Sequence, residues 1–167
     1  MKKILLSVVV IFAIVAFGGS GVANAISEDL EGAISMNCAS ITGQLRSVRY
    51  YDRRAREYLG NRYERLVSSF VMNLNVRLVK NNISNMKLAG LQVELVSAQS
   101  QFKSAYGQYA TEMDGLIGMN CVAQPADFYA KLEKVRGLRV GVRESVERTN
   151  GILLEFRTAV VEVRSAL

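Results

Sequence analysis

Histidine and tryptophan are missing from this 167-residue chain, proline occurs once and cysteine twice. Without histidine, the commonest acid–base group and the commonest metal ligand are both absent. No metal and no cofactor is therefore expected. No serine sits in a nucleophile-elbow pattern and no glycine-rich loop follows a strand to cradle phosphate. Carboxylate pairs such as Glu112 with Asp114, or Glu144 with Glu147, remain for glycosidase-type chemistry. That chemistry needs two carboxyls facing across a substrate cleft, and a narrow helical bundle offers none. The chain therefore reads as a non-enzyme.

The N-terminus has the order of an export signal. Lys2 and Lys3 precede an apolar run from Ile4 to Phe17, and Ala23-Asn24-Ala25 places small residues at a signal-peptidase site. As a helix, that run reaches only about 21 Å, short of the roughly 30 Å hydrocarbon core of a bilayer. Residues 1–25 are expected to be a cleaved secretory signal and 26–167 a single domain. Contact with the membrane then ends at cleavage, and the mature protein is periplasmic, at the cell surface or extracellular. Two of the six net positive charges leave with the signal, so the mature chain leans only mildly toward anionic partners. Two cysteines in an exported chain point to one disulfide; two free buried thiols are the alternative.

What the chain has in abundance is apolar residues at spacings of three and four. One seam runs Ile34, Cys38, Ile41, Leu45, Val48, Asp52, Ala55, Leu59, Arg62, Leu66, then shifts register to Phe70, Leu74 and Leu78. A second runs Leu88, Leu91, Leu95, Ala98, Phe102, Ala105, Tyr109, Met113, Leu116. A third runs Phe128, Leu132, Val135, Arg139, Val142, Val146, Thr149, Leu153, Phe156, Val160, Val163, Leu167. Such spacing predicts amphipathic helices over roughly 34–79, 85–118 and 125–167, with Pro125 in the first turn of the last. No stretch alternates with period two, so no strands are expected. The fold class is all-α: an elongated up-down-up, three-helix antiparallel bundle or coiled coil with one disulfide. Cys38 and Cys121 lie nearly equidistant along the chain from the asparagine-rich turn near Asn82. An antiparallel hairpin therefore brings them to the same height.

These residues carry a resemblance. Cys38 followed by Ile41, the Tyr51-Asp52-Arg53-Arg54 run after Arg49, and the aromatic series Phe102, Tyr106, Tyr109 are part of it. Cys121, Phe128, Leu132, Arg136 and Arg139 continue it. The pattern resembles small exported helical proteins of unknown function from reduced-genome bacteria of the candidate phyla. This chain departs from it after the second cysteine, reading Cys121-Val122-Ala123-Gln124 where Cys-Gly-Lys-Ser belongs. The resemblance implies a disulfide-tied helical hairpin plus a third helix, and points to no particular activity.

Arg46, Arg49, Arg53 and Arg56 recur at helical spacing and predict a stripe about 15 Å long. Arg54, Arg62 and Arg65 extend it, Tyr50, Tyr51, Tyr58 and Tyr63 interleave with it, and Arg136, Arg139 and Arg143 fall at a similar height. Arginine beside tyrosine binds anions and stacks on planar groups; the alternative is a solvated face partly neutralised by Glu57, Glu64, Glu112, Asp114, Glu133 and Glu144. The expected function is an exported interaction or structural protein binding another protein through a helical surface. The alternative is a basic module or holdase-type chaperone for anionic envelope polymer, nucleic acid or unfolded clients. Asp52, Arg62 and Arg139 interrupt the apolar seams and are expected to pair or to sit at a seam's edge.

Overall fold

The computed structural model describes residues 27–166; the expected signal peptide lies outside them. The chain is all-helical, with no strand among the described residues. The helices are α1 Glu28–Met36, α2 Cys38–Arg65, α3 Met72–Lys80, α4 Met86–Ile117 and α5 Pro125–Ser165, with a π-helical stretch, Leu66–Val71, joining α2 to α3. None is long and apolar enough to cross a membrane. At 41 residues, α5 spans about 62 Å.

The first helical arm begins at Glu28, earlier than the expected residue 34. Ser27 caps it by accepting the Leu30 N–H at 3.4 Å, and Glu28, Asp29 and Glu31 sit in the first turn, where the helix dipole favours negative charge. The arm breaks at Asn37, whose side-chain amide donates to the Ala33 carbonyl at 2.8 Å and competes with the backbone ladder. After Lys80 the chain reverses through Asn82, at a φ of 60°, a left-handed conformation that asparagine tolerates. Asn85 then caps α4 through Leu88 N–H. Before α5, the Asn120 side chain accepts from Val122 and Ala123 N–H, both at 3.1 Å. Pro125 opens α5 as expected.

The first seam needs correction past Asp52. Leu66 and Phe70 were expected inside but are exposed, and Arg62 turns outward with them; Val67 and Val71 are buried instead. Four residues of α-helix overshoot a full turn by about 40°, so Val67 and Val71 align fully on the buried face where the helix widens between them. The π stretch supplies that widening through i→i+5 bonding. Leu74 and Leu78 then rejoin the core.

Cys38 and Cys121 form the disulfide, with Cα atoms 5.6 Å apart. Near it, Ile34, Tyr109, Met113, Leu116, Phe128 and Val135 build one buried cluster. Near the asparagine turn, Val67, Val71, Leu88, Leu91, Leu95, Ala98, Ile152, Phe156 and Ala159 build another. The core is thus two apolar blocks, and what lies between them is not close-packed.

Candidate functional site

Two polar links brace the disulfide half of the gap. Asp52, from α2, accepts the Tyr109 hydroxyl of α4 and both Nε and Nη2 of Arg139 on α5, at 3.1 and 3.0 Å. One carboxylate therefore ties three helices together. Beside it, Arg49 grips Asp114 with Nε at 2.7 Å and Nη2 at 2.9 Å, while Nη1 donates to the Tyr106 hydroxyl at 3.1 Å. The paired Arg49 holds Asp114 below the usual carboxylate range, as fork–fork hydrogen bonding to the charged form does. The seam-breaking charges Asp52 and Arg139 thus pair with each other, which fixes register. Arg62 belongs to a different face.

Burial, and then the hydrogen bond to Asp52, push the Tyr109 hydroxyl above its ordinary range. A raised folded-state pKa contributes stability that is fully present below the unfolded value, about 10. That contribution fades as pH rises through the folded value. Tyr109→Phe is expected to cost about 1.5–3 kcal/mol near neutral pH, the range for a hydrogen bond to a charged group. It should also remove the loss of stability that the Tyr109 hydroxyl adds above about pH 10. Denaturant melts at both pH values check this; an equally stable Phe variant would mean the hydroxyl links nothing.

The expected basic belt divides in two. Arg49, Arg136, Arg139 and Arg143 are held by Asp114, Glu133, Asp52 and Glu147. For the exposed Arg136 and Arg143 such surface pairs contribute little. The stripe Arg46, Arg49, Arg53, Arg56 is not one surface, because Arg49 and Arg56 turn toward α4. Arg56 lies 5.8 Å from the centroid of the Tyr106 ring. Arg46, Arg53, Arg54, Arg56, Arg62 and Arg65 have no carboxylate at salt-bridge distance among the described residues. Arg53 and Arg54 flank the Tyr50 ring at 6.0 and 5.7 Å, and Arg62 lies 5.7 Å from the Tyr58 ring. Arg65 donates to the Asn61 carbonyl. The outward face of α2 therefore carries cations stacked on tyrosines, with Tyr51 and Tyr58 67% and 64% exposed.

A narrow bundle was expected to leave no cleft, and here the structure corrects the sequence. A cavity of about 210 Å³ opens between α2, α4 and α5. Its walls are mostly carbon, from Ala55, Leu59, Phe102, Tyr106, Val142 and Val146, and Asp52, Tyr109 and Arg139 line it as well. Ala55 adds little side chain to this wall, and the Arg56 guanidinium lies 3.8 Å from where a Cβ at Gly60 would stand. The amide nitrogen of Gln99, another lining residue, is buried with no hydrogen-bond partner. Sequence reasoning missed this cavity. Its visible signal was the coincidence of Asp52, Ala55 and Gly60 on one helix with Arg139 and Thr149 on another.

Among the described residues, no three His, Cys, Asp or Glu side chains converge as a metal site would require. Comparison with protein-family models, curated proteins and solved structures found no match to this chain.

Proposed function

We propose that this is an exported, non-enzymatic interaction protein of the cell envelope or exterior, in which an elongated up-down-up bundle of three helical arms presents α1–α3 to a protein partner. The observation that carries the reading is where the aromatics lie. Among the described residues the exposed large aromatics, Tyr50, Tyr51, Tyr58 and Phe70, all belong to this first arm, three of them interleaved with unpaired arginines. Tyrosine and arginine are the residues that concentrate binding energy in protein interfaces. The disulfide fits an oxidising compartment, as does the signal-like N-terminus. The resemblance to exported helical proteins of candidate-phyla bacteria is proposed in the same sense, as a scaffold without an assigned activity.

A second reading rests on the same face. Five exposed arginines without carboxylate partners, Arg46, Arg53, Arg54, Arg62 and Arg65, also suit an anionic polymer. Two variants separate the readings once the partner has been trapped by cross-linking. Tyr51→Ala, Tyr58→Ala and Phe70→Ala combined should weaken binding to a protein by at least about a hundred-fold, with little change in salt dependence. Arg46, Arg53, Arg54 and Arg62 all changed to Gln should instead flatten the salt dependence if the partner is a polyanion. Arg49 and Arg56 are left intact because they face α4. Retained binding in both variants would exclude this face altogether.

A further inference from the structure

We propose that the central cavity is a binding site for a small apolar monocarboxylate, its hydrocarbon body between α2, α4 and α5 and its carboxylate at Arg56. The site is distinct from the outward aromatic face of α2.

Volume and wall chemistry set the body. An apolar cavity of ~150 Å³ accommodates benzene; the 210 Å³ here fits a chain of about eight carbons on the same scale. Leu59, Phe102, Val142 and Val146 offer such a chain contacts and offer water nothing to bond.

Charge sets the head group. Arg56, Lys103, Arg139 and Arg143 line the cavity against two acids, Asp52 and Glu64. Both acids are already engaged, Asp52 by Arg139 and Glu64 by Lys103 at 2.8 Å. Arg143 is held by Glu147. That leaves Arg56, stacked on Tyr106 at 5.8 Å, as the lining cation with no carboxylate at salt-bridge distance among the described residues; Glu64 feels its charge but is bonded to Lys103. A guanidinium so placed pairs with a carboxylate in bidentate fashion. The buried Gln99 amide supplies a second polar partner, one that no protein group satisfies.

Octanoate is the probe, titrated into the disulfide-intact protein and followed by isotope-edited NMR and calorimetry. Saturable one-to-one binding is expected, with shifts at Leu59, Phe102 and Val146. Octanol should bind at least ten-fold more weakly, and Arg56→Gln should weaken octanoate by a similar factor. Val146→Phe, or independently Leu59→Phe, fills the cavity and should abolish binding while circular dichroism and thermal melting show an intact fold. Equal affinity for octanol, undiminished binding to both filled variants, or no saturable binding would each overturn the assignment. Self-association that competes with octanoate as protein concentration rises would overturn it too, by placing a second copy in the cleft.

Discussion

Replacing Cys38 and Cys121 together with serine is expected to lower the unfolding free energy by roughly 4–5 kcal/mol. The bond joins residues 83 positions apart, and on the chain-entropy model a loop of that length constrains the unfolded chain by about that much. A typical domain holds only about 5–15 kcal/mol, so the variant should sit close to its unfolding threshold. Serine suits position 121, which is fully buried, because Thr42 Oγ1 lies 3.7 Å from the sulfur and can partner the new hydroxyl. Reducing the wild-type protein should give a similar loss without any change of side chain. Urea melts of the oxidised, reduced and substituted proteins read it directly. Equal midpoints for all three would mean that the helices near the disulfide hold together by packing alone.

The second large effect comes from the core near the asparagine turn. Phe156 is 3% exposed among Val67, Val71, Leu88, Leu91 and Leu95, and Phe156→Ala should cost about 3–5 kcal/mol through lost burial and a residual void. Leu59 occupies the expected seam yet lies on the cavity wall, 43% exposed. Leu59→Ala should therefore cost less than about 1 kcal/mol, as changes at surface positions do. The contrast between two apolar residues on seam positions distinguishes two separate cores from one continuous core. Similar large losses at both sites would mean that the middle of the bundle is packed and the cavity closed.

Much of α4 was legible because its seam is regular. Leu88, Leu91, Leu95, Ala98, Tyr109, Met113 and Leu116 are all buried as their spacing implies. The start of α5 followed from the φ restriction of Pro125, and the cysteine pairing from the near-symmetry of a hairpin about Asn82. The buried face of α5 is wider than its seam implies: Ile152 and Ala159 are buried beside the expected Thr149 and Phe156, because the helix packs against more than one neighbour.

The first arm was harder for a physical reason. Whether Leu66 or Val67 faces inward depends on the opposing side chains of α4 and α5, and the change of register comes with the π-helical stretch there. The arginines were legible as a group but not as partners. A long guanidinium can reach several carboxylates, and Arg49 and Arg56 turned inward while Arg46 and Arg53 stayed out. The cavity was invisible for a related reason: it is a volume left by three helices at once, and no single seam records it.

The aromatic and arginine-rich face of the first arm is proposed to meet another protein. Placing a photoreactive phenylalanine analogue at Tyr58, and in a second strain at Leu154, which is 63% exposed on α5, tests it inside the native organism. Irradiation is expected to give one discrete protein adduct from position 58, persisting when cells are irradiated in high salt, and none from position 154. Adducts of equal yield at both positions, or an adduct from 154 alone, would contradict the assignment of this face.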